Sequence, residues 1–279
     1  MPALDDKVDA ASSDPAVGAA REVIYLGVSI SLLDAAQAAQ AIASRPAGAP
    51  FTYVVTPNAA HFTRLIRLGD ARFQDAYEHA WMRLLDGQVP RALARLLFGL
   101  NIPHAAGSDV VDLLLKRFIR PDDKVTVIGG SEEMRARLAD QFGLANVAMH
   151  IPPMGFIRDE AAVEASLAFI EANPARYVFF VAGTPQCEYL ARMVQLRGAS
   201  VGCGMSVGGA LNFSVGLVPR APLALRRAGL EGVYRLMRNP VGHARRVFVD
   251  SFPIFTMAVQ ARIRPEAFGM GNRRKDGRS

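Results

Sequence analysis

Three short stretches combine polar side chains with the turn-forming residues that end strands. Thr56-Pro57-Asn58, Asp86-Gly87 and Gly129-Gly130-Ser131 each follow an apolar run. In an open parallel sheet ligands collect at the carboxyl ends of strands, so these residues are the first candidates for chemistry. A threonine hydroxyl and an asparagine amide can hold a polar ligand, and the same pair can equally end a strand and cap a helix. Asp86 can accept a proton from an attacking hydroxyl, although an aspartate before glycine is also an ordinary turn. The two glycines with Ser131 can bring N–H groups and a helix start to a phosphate. However, the G-x-G-x-x-G spacing is incomplete, and Glu132 and Glu133 suit the helix dipole while repelling a pyrophosphate. That stretch reads first as structure.

Other chemistries are disfavoured by spacing. His61, His79, His104, His150 and His243 include no i, i+4 pair and no H-E-x-x-H, and the chain has no Asp-x-Asp, Walker loop or G-x-S-x-G elbow. No metal and no cofactor is expected. Cys187 and Cys203 are too few for a disulfide framework or a four-cysteine zinc site, and their spacing is not that of a redox pair. A reducing compartment suits them.

The elements that must position these residues alternate between strand-length apolar runs and segments of helical period, which predicts a βαβα chain with a largely parallel sheet. Residues 51–58 read as a strand running into a turn, with Ala60, Phe62, Leu65, Ile66 and Leu68 at helical spacing behind it. Residues 82–87 read as a short strand ending on Asp86. Pro90 suits the first turn of the helix that follows through Leu93, Leu96 and Leu97. Ser108 or Asp109 is expected to cap the next helix. Residues 125–130 and 176–183 read as buried strands, each with a helix after it, the first helix closed by Gly143. Residues 199–213 form a glycine-rich strand and loop, and beyond Val218 short helices are broken by Pro222 and Pro240.

The chain of 279 residues is 51% apolar and 21% charged, close to the globular average and far from a disordered profile. Its formal charge of +6 is unevenly spread. From Arg220 onward there are 13 basic against 4 acidic residues, a net of +9, which leaves −3 on residues 1–219. A mildly acidic body with a basic end predicts an anionic partner for that end. Val247–Ile263, the most apolar stretch, contains Asp250, Pro253, Gln260 and Arg262, so the chain is expected to lie on a membrane without crossing it. The start has acids where a secretion signal needs a positive region. The expected organisation is a flexible lead-in (1–20), an α/β catalytic domain (21–219), a helical membrane-associating appendage (220–265) and a disordered basic tail (266–279).

The order of motifs from Val23 to Ala261 resembles the WecG/TagA/CpsF glycosyltransferases, glycosyltransferase family 26. The resemblance is carried by GVSISLLDAAQAA, VVTPNAAHF, LLDGQVP, AAGSDVVDLL, VTVIGG, GTPQCEYLARM, GLVPRAP, GLEGVYRLMRNP and ARRVFV, in that order. It implies a Rossmann-like fold and an inverting, metal-independent transferase. Such an enzyme moves a hexose or N-acetylhexosamine from a UDP-sugar to a polyprenyl-pyrophosphate-linked saccharide, at the inner face of the plasma membrane, in cell-surface or exopolysaccharide synthesis. Asp86 is the implied general base. Thr56, Asn58, His104, Gln186, Cys187, Glu188 and Asn212 are the implied substrate-binding positions. Arg220, Arg235, Arg245 and Arg246 match the arginines that approach the membrane and the diphosphate, beside Phe248, Phe252 and Phe255. The family's P-x-Q-E is here Pro185-Gln186-Cys187-Glu188, its F-D-F has Asn212 for the carboxylate, and the tryptophan of G-L-E-W is Gly232. These departures motivate an alternative, a member that binds lipid-linked sugar or a partner transferase without turnover. Nucleic acid is not an expected partner, since the tail's aromatics lack base-stacking spacing. Self-association is left open by the sequence.

Overall fold

The computed structural model describes residues 20–222, 224–225, 231–238, 240 and 245–270. The lead-in before residue 20 and the tail beyond residue 270 lie outside the described residues. A hairpin of β1 (Glu22–Tyr25) and β2 (Val28–Ser31) opens the fold, followed by α1 (Ala35–Ser44). Asp34 caps α1 in a reciprocal pair with Gln37, each side chain bonding the other's backbone N–H. The main sheet contains β3 (Thr52–Val55), β4 (Met82–Arg83), β5 (Lys124–Ile128), β6 (Asn146–His150), β7 (Tyr177–Phe180) and β8 (Cys203–Ser206). All of its pairings are parallel, in the order β4-β3-β8-β7-β5-β6, so the fold is Rossmann-like α/β.

Helices cover both faces, so the central strands are apolar at successive positions rather than alternating. Tyr53, Val55, Val178 and Phe180 face one core, and Val54, Tyr177, Phe179, Met205 and Cys203 face the other. This is the two-residue side-chain period acting on strands buried on both sides. Gly204 makes room in β8. A Cβ there would lie 2.6 Å from Phe51 Cζ and 2.8 Å from Phe180 Cε2, whose rings pack edge to face.

Helices among the described residues include α2 (Ala59–Phe62), α3 (Ala71–Glu78), α4 (Gln88–Phe98), α5 (Gly107–Leu113), α6 (Glu132–Phe142), α7 (Glu160–Ala172), α8 (Gln186–Arg197) and α9 (Ala210–Ser214), then Glu231–Arg238 and Ile254–Ile263. Pro90 lies in the first turn of α4, and Gly143 ends α6 with φ +66°, as the sequence predicts. Two elements have no counterpart in the sequence reading, the β1-β2 hairpin outside the main sheet and the weakly apolar edge strand β6. Two expectations need correction. The strand at 82–87 pairs as a ladder only at Met82 and Arg83, after which the Leu84 and Asp86 N–H groups bond Val55 and Pro57 carbonyls. Neither Ser108 nor Asp109 caps α5. The cap position is Ala106, with no side-chain bond, and Ser108 and Asp109 lie inside the first turn, where both accept from Arg220.

The residues after Arg220 do not all stand apart from the preceding fold. Ile254, Met257 and Ala261 on one face of the last helix join the core beside Tyr25 and Phe62, and that helix packs against α2 and α4. Its other face leaves Phe255, Val259 and Ile263 exposed.

Candidate active site

The carboxyl ends of four adjacent strands, β4, β3, β8 and β7, open into one cavity of about 660 Å³. Its wall is assembled from short turns. Thr56 and Asn58 follow β3, Asp86 follows β4, Ser206 ends β8 with Val207 through Gly209 after it, and Gly183 and Thr184 follow β7. Parallel pairing puts these ends on one edge of the sheet, which is why residues far apart in sequence converge.

Asp86 is fixed at its backbone by the bond from its N–H to Pro57 O, 2.9 Å. Gly87 then turns the chain into α4 at φ +96°, a conformation a side chain would oppose. Asn58 serves in both of the ways its sequence allows. Its Oδ1 accepts from the Ala60 and His61 N–H groups at the start of α2, and the residue also lines the cavity. Thr56 is buried against Gly107, where a Cβ would come within 3.2 Å of Thr56 Oγ1. The glycine of the G-S-D element therefore lets α5 close onto the end of β3.

Asn212 and Ser108 also reach the cavity. Arg220 stands behind Ser108, donating to Ser108 Oγ and Asp109 Oδ1 at 2.6 Å each. Arg245 and Asp250 line the rim, the latter on a π-helical turn (Arg246–Ser251) that packs on α2. The side chains of Arg235 and Arg246 lie outside the described residues.

The helix α8 sorts its three candidates by direction, since one residue turns a side chain by about 100°. Cys187 points into the core, donates to Phe180 O, and has its thiol pushed up by burial. Gln186 donates to Ala182 O and does not line the cavity. Glu188 is 1% exposed and reaches the cavity only through Thr184, whose hydroxyl donates to Glu188 Oε1 at 3.1 Å. Burial raises its carboxyl to about 7. His104 sits in the extended segment beside Leu85, where Ala105 N–H bonds Leu85 O, and does not line the cavity. Gly129, Gly130 and Ser131 are likewise absent from its wall, and Ser131 caps α6.

Sequence reasoning missed His61, Arg64, Thr184 and Ser206, all of which line the cavity. His61 carries no spacing signal among five scattered histidines, although its place three residues past the Asn58 cap puts it one turn into α2. Arg64 is held by Asp70 at 2.8 Å. Ser206 Oγ is buried without a hydrogen-bond partner among the described residues. Hydroxyls, amides, two carboxylates and arginines facing one cavity suit a ligand rich in hydroxyls that also carries negative charge. Among the described residues no three His, Cys, Asp or Glu side chains gather as metal ligands.

The model of the glycosyl transferase WecG/TagA/CpsF family matches residues 23–267. The chain belongs to this family. A glycosyltransferase needs a sugar donor and an acceptor, and the family match spans every strand end that builds the cavity. It also takes in the last helix, Ile254–Ile263, which packs in the shared core. Among the described residues of this glycosyltransferase no helix is long and apolar enough to cross a membrane.

Proposed function

We propose that this glycosyltransferase moves a hexose or N-acetylhexosamine from a UDP-sugar to a polyprenyl-pyrophosphate-linked saccharide, with inversion and without a metal, in surface or exopolysaccharide synthesis. The observation that carries the reading is Asp86 on the wall of a polar cavity at the strand ends, facing the same space as Thr56, Asn58 and Asn212. In a single displacement an acceptor hydroxyl oxygen bonds to the anomeric carbon as the bond to the diphosphate breaks. The hydroxyl proton passes to the Asp86 carboxylate and the electron pair leaves with UDP. Arg245 on the cavity wall, with Arg64 held there by Asp70, supplies positive potential for the departing diphosphate.

A membrane-facing surface fits a prenyl-linked acceptor. Phe248, Val249, Phe252, Phe255, Val259 and Ile263 are all exposed, and their segment also carries Arg245 and Asp250 to the cavity rim. Exposed aromatics beside arginines suit reversible attachment to the inner face of an anionic membrane.

The test incubates the purified full chain with UDP-glucose and UDP-N-acetylmannosamine, each with a short prenyl-pyrophosphate-N-acetylglucosamine acceptor. Turnover that is lost in Asp86→Asn supports the reading. Tight binding of donor or acceptor with no turnover overturns it in favour of a non-catalytic binding member.

A further inference from the structure

Tyr77, His61, Thr184 and Glu188 form an unbroken chain of hydrogen bonds. Tyr77 Oη lies 2.9 Å from His61 Nδ1, His61 Nε2 lies 2.9 Å from Thr184 Oγ1, and Thr184 Oγ1 lies 3.1 Å from Glu188 Oε1. The two ends are buried, whereas the two middle members line the cavity. The reaction proposed above uses none of these groups for bond making or breaking.

Counting donors fixes the direction of the chain while Glu188 is ionised. A carboxylate only accepts, so the Thr184 hydrogen points to Oε1. The Thr184 oxygen then takes its bond from His61 Nε2–H, which leaves Nδ1 to accept from the Tyr77 hydroxyl. All three hydrogens are committed within the chain. Glu188 Oε2, by contrast, has no hydrogen-bond partner among the described residues. Groups whose charge or dipole reaches this carboxyl include Arg64, which favours ionisation, Thr184, the residue's own N–H, and the neutral Tyr53, Tyr77 and Cys187, with the titratable His61 beyond Thr184 and the Asp86 carboxylate acting on Tyr77. Burial outweighs them and brings the carboxyl to about 7.

We infer that Glu188 and His61 are positioning residues for the Thr184 hydroxyl, the buried carboxyl switching it between an inward bond and a donor directed at an oxygen of the cavity's occupant. Protonation of Glu188 forms one O–H bond with a proton drawn from solvent and changes no other covalent bond. The carboxyl then donates to Thr184 Oγ1, which still accepts from His61. The Thr184 hydrogen is released toward the cavity, where a phosphate or sugar oxygen can accept it. Only the nature of the occupant rests on the proposed function; the switch is a property of the four residues. By linkage, an acceptor oxygen bound at Thr184 favours protonated Glu188, so binding near neutral pH takes up protons.

The test uses full-length protein with isotope-labelled histidine, following imidazole nitrogen shifts by NMR from about pH 5.5 to 8.5. His61→Gln identifies the signal. His61 is expected as the Nε2–H tautomer, with shifts that inflect near the Glu188 ionisation. That inflection disappears in Glu188→Gln and in Thr184→Val, which cuts the chain between its ends and serves if the first variant does not fold. An Nδ1–H tautomer, or an inflection unchanged in the variants, overturns the inference. Calorimetry with UDP in two buffers of different ionisation enthalpy adds an independent arm, with proton uptake in the wild type and none in Glu188→Gln. Failure of UDP to bind would count against the donor-site reading and leave the NMR result to decide the switch, while UDP binding without proton uptake overturns the coupling.

Discussion

Replacing Glu188 by glutamine removes a buried ionisable group at nearly constant shape. The side chain is 1% exposed, and burial lifts its carboxyl from 4.5 to about 7. The folded state therefore keeps a proton that the unfolded chain has released between those two values. The stability this contributes is complete below about pH 4.5 and is lost as the pH rises through about 7. A displacement of roughly two and a half units, at about 1.4 kcal/mol per unit, is worth about 3 kcal/mol. Glutamine does not titrate, so Glu188→Gln should gain about 3 kcal/mol relative to wild type between about pH 4.5 and 8. Titration of groups that do not interact with Glu188 cancels in that difference. Urea unfolding of both proteins at several pH values measures it directly. A difference that stays flat would refute the argument from burial. A difference of opposite sign would mean that the site stabilises the carboxylate.

Other outcomes test the placement of the remaining elements. Met257→Ala, at 3% exposure in the core beside Ile254 and Ala261, should cost about 2–5 kcal/mol in a single cooperative urea transition. A cost below about 0.5 kcal/mol would deny that the last helix shares the core. Gly107→Ala sets a methyl 3.2 Å from Thr56 Oγ1, and should lower turnover roughly tenfold with little loss of thermal stability. Unchanged kcat/KM would show that the end of β3 tolerates the shift. Phe248 and Phe252 are 63% and 57% exposed, and replacing both by serine should reduce binding to phosphatidylglycerol vesicles at least about tenfold. Equal sedimentation of variant and wild type would reject a membrane-facing role for this surface.

Much of the framework was legible locally. Both faces of the sheet are covered, so the inner strands are runs of bulky apolar residues that stand out at 51–55 and 176–180, and caps such as Asn58, Ser131 and Gly143 lie where short-range bonding rules require. The edge strand β6 was less legible because its residues are only half-buried and need not be strongly apolar. Strand-end logic was also enough to bring forward Thr56, Asn58 and Asp86, because parallel strands place their carboxyl ends on one edge whatever their order.

What sequence alone could not decide is which side chains meet. His61 and Thr184 are 123 positions apart, and only the adjacency of the β3 and β7 ends across β8 brings them within a hydrogen bond. On α8, the motif names Gln186, Cys187 and Glu188 together as implied binding positions without saying which faces the cavity. The seating of the helix against the sheet sends one to a backbone carbonyl, one into the core, and one to the hydroxyl behind the cavity. The chain after Arg220 was set apart by its charge, yet charge does not report packing, and Ile254, Met257 and Ala261 bind the last helix into the core. Local propensity and periodicity are properties of neighbours in sequence, and they fixed the elements. Burial, proton affinity and partnership are properties of neighbours in space, and they arose only when the sheet order was set.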